Sequence, residues 1–228
     1  MPHPALPAYL LPLLTRGCCL WQWGGPGNQQ RLYAAAAAFA DSLLPAGYDT
    51  MVVDMGWYFE QSDAAALRGI KEGRAPDVGR SMHIDRWGRL TADPKQWPDG
   101  IAGAVNHLHS LGIKMGVHIM RGINTAAVSA NTPILDVSTG KASPYRAQDI
   151  VTAQKKRCPW CGEFLAVNTS HPGARLWYAS NAALYQEFGV DMVKADCYYG
   201  KRDEIPTDAE LLMFVESIAD SAKGAGGR

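Results

Sequence analysis

Short apolar runs alternate along the chain with segments in which apolar residues recur at helical spacing. The clearest run lies within 189–197, where a glycine is followed by six residues of which four are apolar. A run of strand length that is apolar on both faces is typical of a buried parallel strand. Comparable runs occupy 17–21, 50–54 and 113–119. A helical pattern follows each of the four runs, which predicts four strand-then-helix units.

The helical segments are bounded by residues that favour helix ends. Asn28 is a candidate cap for the first helix, and Pro206 precedes a start signal for the last one. The predicted buried positions are Leu32, Ala36, Phe39 and Leu43 in the first helix, Ile101, Ala104, Val105 and Leu108 in the second, Leu176, Ala179, Ala183 and Leu184 in the third, and Leu211, Val215, Ile218 and Ala222 in the fourth.

Two long segments, 58–98 and 121–173, follow strands, whereas the returns from helix to strand are short. This asymmetry is typical of a barrel whose carboxyl-terminal rim is elaborated into a site. Within the first segment, the residues flanking Trp87 and Gly88 predict a small hairpin. A doubly wound sheet is the competing architecture, but neither a G-x-G-x-x-G turn after the first strand nor a P-loop is present. The predicted fold class is α/β, of the (β/α)8 TIM-barrel family, with only about the first four βα units present.

Composition places few further limits on the chain. Its 228 residues are 47% hydrophobic, which suits one globular domain, with 22 basic and 22 acidic side chains in balance. This balance favours neither nucleic acid nor an anionic membrane as partner. The apolar stretch at 5–14 is too short to span a bilayer and is a poor secretory signal. We expect an N-terminal extension at 1–16, a half barrel at 17–223 and a disordered tail at 224–228.

Side chains suited to carbohydrate chemistry fall at the predicted strand ends. Trp21, Asp54, His118 and Asp196 end or nearly end the four strands, and Lys194 precedes Asp196 by two residues. An indole offers an apolar platform to a sugar ring, and a carboxylate can bind hydroxyls or attack an anomeric carbon. Taken singly, each has a structural alternative: core packing for Trp21, a buried structural histidine, and an internal Lys–Asp ion pair.

The chain resembles the melibiase-type glycoside hydrolases, the α-galactosidase and α-N-acetylgalactosaminidase family, most closely its plant melibiase-like branch. Four motifs carry the resemblance in the family's order, and together they cover nearly the whole chain from Gly17 onward. They occupy 46–57, 85–100, 109–118 and 189–197. The resemblance implies an O-glycosyl hydrolase.

The resemblance also implies the role of each rim residue. Asp196 would be the nucleophile of a retaining mechanism, and Lys194 a sugar-hydroxyl ligand that also keeps Asp196 ionised. Trp21 would be an aromatic of the sugar pocket, and Asp54 would grip sugar hydroxyls. His118 stands where the family usually has tyrosine.

Three departures from the family pattern limit what is implied. The second of two adjacent acids is Met55 here, and with His118 this opens the sugar to arabinopyranosides as well as α-galactosides. No residue matches the family's general acid/base, which suggests the amino-terminal half of a longer enzyme or a truncated gene product. We therefore expect the chain alone to be inactive on glycosides. The alternative is a non-catalytic carbohydrate-binding or inactive remnant.

The five cysteines leave at least one outside any internal disulfide. Cys158 and Cys161 alone are a weak signal for zinc, which needs a second pair, and their place in a long loop does not suit a thioredoxin-type pair. The family resemblance implies a disulfide between Cys158 and Cys197.

No metal or cofactor is implied. The expected partner is a carbohydrate substrate, without nucleic acid or membrane, and with a homo-oligomer or a missing carboxyl-terminal half left open. The resemblance suggests a secreted, vacuolar or lysosomal compartment.

Overall fold

The structure is a computed structural model that describes residues 17–19, 28–60, 81–158, 161–198 and 207–225. The predicted N-terminal extension at 1–16 lies outside the described residues. The elements in chain order are β1 (Gly17–Cys19), α1 (Gln29–Ser42), β2 (Thr50–Val53), α2 (Gly100–Ser110), β3 (Lys114–Met120), β4 (Ile123–Asn124), α3 (Thr125–Ala130), β5 (Pro133–Asp136), β6 (Lys141–Arg146), β7 (Arg157–Cys158), β8 (Cys161–Leu165), α4 (Pro172–Glu187), β9 (Met192–Asp196) and α5 (Thr207–Ala225).

The central sheet is wholly parallel and has the strand order β1-β2-β3-β9. Helices α1, α2, α4 and α5 come after these four strands in turn, as the sequence pattern predicts. The arrangement confirms the α/β class and matches the first four units of a (β/α)8 barrel. Among the described strands of this sheet, β1 and β9 are the outer two.

Helix α1 begins and packs as its sequence predicts. The Asn28 side chain accepts a hydrogen bond from the backbone N–H of Arg31 at 2.9 Å, which satisfies one of the open donors of the first turn. Leu32, Ala36 and Phe39 lie on one face and are fully buried. Their spacing of three to four residues places them against the sheet in a single stripe.

Helix α2 packs on the same side of the molecule. Its predicted apolar positions are all buried, and Gly112 follows it with a φ of +76°, a left-handed turn that favours glycine. The rings of Tyr33 in α1 and His107 in α2 stack at a centroid distance of 3.7 Å, which joins the two helices at their outer surface.

The predicted hairpin around Trp87 and Gly88 is present as an antiparallel bridge between Ile84 and Leu90. The segment 121–173, in contrast, is far more regular than the sequence pattern indicates. It contains α3, the antiparallel sheet β4-β8-β7 and the hairpin of β5 with β6. Most of these strands are only two to five residues long, and β6 is polar and largely exposed. Such strands carry little periodic signal.

Helix α5 presents a different face from the one its apolar residues predict. Val215 is 53% exposed, whereas Phe214 and the carboxylate of Glu210 are buried. Ala222 is exposed as well, so the predictions for Val215 and Ala222 are wrong. The reason is that Glu210 accepts a hydrogen bond from the Tyr178 hydroxyl at 2.6 Å, which turns the polar position inward. The helix continues through Ala225, beyond the predicted start of the tail, and 226–228 lie outside the described residues.

Replacing Asn28 with alanine is expected to lower the free energy of unfolding by about 1 kcal/mol, because the first turn of α1 loses its side-chain acceptor. Chemical denaturation of the purified chain measures the difference. Asn28→Ser is the matched control and should retain most of the stability, since serine can make the same hydrogen bond. Equal losses in the two variants would contradict a capping role.

Candidate active site

The parallel register of β2, β3 and β9 gathers the predicted site residues at one edge of the sheet. In β9, Lys194 lies opposite His118 of β3, and Asp196 lies opposite Met120. Asp54 follows Val53, the last paired residue of β2. The carboxyl ends of parallel strands form the functional face of barrel enzymes. Trp21 falls outside the described residues.

The side chains of Asp54 and Lys194 form an ion pair. The ammonium nitrogen of Lys194 lies 2.7 Å from Oδ2 of Asp54, and the carboxylate is almost fully buried. The other oxygen, Oδ1, accepts the backbone N–H of Met55 at 2.6 Å. A buried carboxylate is stable in its charged form only with such partners, so this pair fixes Asp54 as an anion facing the rim.

The carboxylate of Asp196 is held by different groups. Nε2 of His118 lies 3.4 Å from its Oδ2, and the backbone N–H of Cys197 donates to its Oδ1 at 2.6 Å. The hydrogen bond from His118 is the main cause that lowers the pKa of Asp196. Burial opposes it, and the charge of Lys194 adds the smallest contribution. The side chain stays 38% exposed, so an ionised oxygen remains open to a ligand.

The two ring nitrogens of His118 have different surroundings. The ring is 1% exposed, and no group in the described part of the chain hydrogen-bonds to its Nδ1. A buried N–H without an acceptor is costly, so Nε2, the nitrogen nearest Asp196, is the one placed to donate a hydrogen bond. That nitrogen also lies 4.0 Å from Oδ1 of Asp54. The indole of Trp57 donates to the carbonyl oxygen of His118 at 2.9 Å and fixes its backbone.

A disulfide joins Cys158 of β7 to Cys197, the residue directly after Asp196, with a Cα–Cα distance of 6.1 Å. This confirms the pairing implied by the family resemblance. Cys197 has a φ of +63°, a left-handed conformation that is costly for a residue other than glycine. The strained residue is the one whose N–H orients Asp196, so the disulfide lies where it can hold the nucleophile candidate in place.

Sequence reasoning missed a buried polar cluster behind the strand ends. The backbone N–H of Arg121 donates to the carbonyl of Asp196 at 3.0 Å. The side-chain Nε of Arg121 lies 4.0 Å from Oε1 of Glu210. The same carboxylate accepts from Tyr178, whose pKa is raised first by burial and then by the charge of Glu210. One signal was available: Arg121 is a charged residue at the end of an apolar strand.

Met55, which stands where the family has a second acid, is buried among core side chains. Within 17–19, 28–60, 81–158, 161–198 and 207–225, no three His, Cys, Asp or Glu side chains are grouped as metal ligands would be. No helix in those same ranges is long and apolar enough to cross a membrane.

The site therefore holds two carboxylates at the carboxyl ends of parallel strands. Asp54 is buried and paired with a lysine, and Asp196 is ionised and partly exposed. TIM-barrel enzymes have sites of this kind. The family described as "Glycosyl hydrolases family 31 TIM-barrel domain" matches residues 8–211. The chain belongs to this family, and the relatives it resembles are of the melibiase type.

These relatives are α-galactosidases and an arabinopyranosidase. The protein named "Probable alpha-galactosidase B" from Neosartorya fischeri is 41% identical over 85 residues, which are 37% of this chain and 14% of that protein. The GH27 β-L-arabinopyranosidase of Geobacillus stearothermophilus is 27% identical, with a TM-score of 0.76 over 91% of this chain and 45% of its own. A variant of that enzyme in complex with arabinose is 28% identical, also with a TM-score of 0.76, over 91% of this chain and 46% of its own.

The matched domain carries family number 31 and the arabinopyranosidase carries number 27, and both are glycoside hydrolase families. The comparisons confirm the melibiase-type resemblance and the barrel fold class. The chain spans less than half of the length of each of these relatives.

Replacing His118 with phenylalanine is expected to raise the pKa of Asp196, because the main group lowering it is removed while burial remains. A folded-state pKa below the unfolded value contributes stability above the unfolded pKa, about 3.9, and this stability is lost as the pH falls through the folded pKa. The variant should therefore lose less stability on acidification in this range. Carbon-13 NMR titration of the Asp196 carboxyl measures the pKa directly.

Lys194→Met is the matched control for this prediction. Since Lys194 contacts Asp54 and contributes least at Asp196, its removal should shift the pKa of Asp196 less than the loss of His118 does. A larger shift in Lys194→Met than in His118→Phe would contradict the assignment.

Proposed function

We propose that this chain carries the nucleophile side of a retaining glycoside hydrolase that acts on terminal α-galactosides or closely related sugars. The observation that supports it most is the state of Asp196. A strand-end carboxylate with a lowered pKa, one oxygen bound by a backbone N–H and an exposed side, is equipped to attack an anomeric carbon.

The surroundings of Asp196 define the proposed attack. With Oδ1 held by the N–H of Cys197, the oxygen available for attack is Oδ2, beside His118. A hydrogen bond from Nε2 of His118 stabilises the negative charge on this oxygen until it bonds to carbon, and the imidazole ring can stay in contact with it throughout. The product of this step is a covalent glycosyl-enzyme ester on Asp196.

Asp54 and Lys194 suit sugar binding better than proton transfer. The Asp54 carboxylate accepts a hydrogen bond from the Lys194 ammonium at 2.7 Å. A nearby ammonium favours the ionised carboxylate, so Asp54 is a poor general acid. Its oxygens and the partly exposed ammonium can instead accept from and donate to sugar hydroxyls. Retaining hydrolysis also needs a second carboxyl group about 5–5.5 Å from the nucleophile. We assign that role to no residue of this chain, and we expect the chain alone to hydrolyse ordinary glycosides poorly.

Two sugars fit the proposal. The relatives include an α-galactosidase and a β-L-arabinopyranosidase whose complex holds arabinose. Galactose carries an exocyclic hydroxymethyl group that arabinopyranose lacks, and the two rings otherwise share their hydroxyl pattern. Met55, a buried thioether in place of an acid, removes one charged acceptor for a sugar hydroxyl. This substitution favours a sugar with fewer hydroxyls to bind.

Mechanism-based labelling tests the nucleophile. Incubation of the purified chain with a 5-fluoro-galactosyl fluoride is expected to attach one sugar to Asp196, because fluoride leaves without general acid help and the ring fluorine slows breakdown of the ester. Peptide mass spectrometry locates the label. Asp196→Asn should take up none, and Asp54→Asn, which keeps the nucleophile, should be labelled at Asp196 more slowly.

A label on another carboxylate would contradict the assignment. Sugar binding without any label would favour the non-catalytic carbohydrate-binding alternative. Rapid hydrolysis of an unactivated methyl galactoside by the same sample, lost in Asp196→Asn, would show that the second carboxyl group is in this chain.

Met55→Asp is expected to raise the rate of galactosyl labelling relative to arabinopyranosyl labelling. A hydrogen bond to a charged acceptor contributes about 1.5–3 kcal/mol, which corresponds to at least about a tenfold change in the ratio. Competition between the two 5-fluoro glycosyl fluorides measures it. Met55→Leu is the control for altered packing. An unchanged ratio in a folded Met55→Asp protein would remove this residue from sugar selection.

A further inference from the structure

Three cysteines meet beside the end of β9. Cys158 is bonded to Cys197, and Cys161 is its cross-strand partner in the antiparallel pair of β7 and β8, whose register shifts between Arg157 and Cys158. Residues opposite each other in an antiparallel pair have Cα atoms about 4.5–5.5 Å apart, and disulfides span about 4.4–6.8 Å. Cys158 therefore has two cysteines within bonding reach.

The carboxylate of Glu163 lies where it can accept the proton of the Cys161 thiol. Its Sγ lies 3.3 Å from Oε2 of Glu163, and both side chains are fully buried. A thiol attacks a disulfide as its thiolate, so a carboxylate that takes the proton is what the attack requires. Glu163 is two residues further along β8 and so points to the same side of the strand as Cys161.

We propose that Cys158, Cys161 and Cys197 form an intramolecular thiol–disulfide exchange site. Sγ of Cys161 attacks Sγ of Cys158 as its proton passes to Glu163. The Cys158–Cys161 bond forms, the Cys158–Cys197 bond breaks, and the electron pair leaves on Sγ of Cys197. That thiolate then takes a proton, which restores the Glu163 carboxylate. One disulfide and one thiol are present before and after, so no oxidant or reductant is consumed.

The exchange changes the covalent support of Asp196. In the Cys158–Cys197 form, the disulfide holds Cys197 at a φ of +63°, and the N–H of that residue binds Oδ1 of Asp196 at 2.6 Å. In the Cys158–Cys161 form, no disulfide holds Cys197. Its backbone can then leave the left-handed region, which is costly for cysteine. The exchange site thus controls whether the nucleophile candidate is fixed.

Tryptic cleavage separates the two forms. Cys158 and Cys161 fall on one peptide, 158–175, and Cys197 falls on another, 195–201. The purified full chain is held at mildly alkaline pH with iodoacetamide and without reductant. It is then denatured in N-ethylmaleimide to block the remaining thiols and digested. The exchanged form gives an internally bonded 158–175 and an iodoacetamide-labelled 195–201, whereas the original form gives the two peptides linked together.

In the wild-type chain, labelled 195–201 and internally bonded 158–175 are expected to accumulate together and in equal amounts. Cys161→Ser and Cys161→Ala should give only the linked peptides. Glu163→Gln should slow the accumulation by about 10²-fold, the usual contribution of a general base. The variant with both Cys18→Ser and Cys19→Ser should exchange like the wild type, which excludes those thiols as attackers.

Circular dichroism establishes that each variant is folded. Two results would overturn the proposal: linked peptides only in the wild type at all times, or labelling of Cys197 that is equal in wild type and Cys161→Ser. The first would make Cys158–Cys197 a permanent disulfide with an inert thiol beside it. The second would mean that Cys197 is released by a different route.

Discussion

The candidate site depends on one constraint, the parallel register of β2, β3 and β9. This register sets His118 level with Lys194 and brings Asp54 and Asp196, which are 142 positions apart in the sequence, to the same edge. Side chains of alternate residues in a strand share a face, so Lys194 and Asp196 point together toward the rim. A shift of one residue in β9 would turn both charges to the opposite face.

The charges at the rim are arranged in two connected pairs with different functions. Lys194 pairs with the buried Asp54, and His118 supplies the hydrogen bond that does most to lower the pKa of Asp196. A strong ion pair at Asp196 would make the carboxylate less nucleophilic. A hydrogen bond from the His118 ring keeps the carboxylate ionised while leaving part of it exposed, which suits the proposed attack.

Much of the fold could be predicted because helices that pack against the sheet repeat apolar residues at helical spacing. Leu32, Ala36 and Phe39 are such a case, and the alternation of helices with apolar strands predicts the parallel sheet. The short polar strands of the long segment after β3 give no such signal. The predicted burial of Val215 is wrong because the buried hydrogen bond of Glu210 turns another face of the helix inward. Trp21 lies outside the described residues, whereas the strand-end positions of Asp54, His118 and Asp196 were predictable. Their partners were not, because the contact of Lys194 with Asp54 depends on the spacing between strands.

The bond between Cys158 and Cys197 also affects how the chain responds to proteases. It closes a loop of the backbone that contains β8, α4 and β9. While this bond is in place, a single peptide-bond cleavage anywhere within 159–196 leaves both fragments covalently attached through sulfur. The nicked molecule would therefore keep its mass, apart from one added water, and migrate as one species until a reductant separates the pieces. Degradation in this region is invisible without reduction, and it needs two cuts to release any part of the chain.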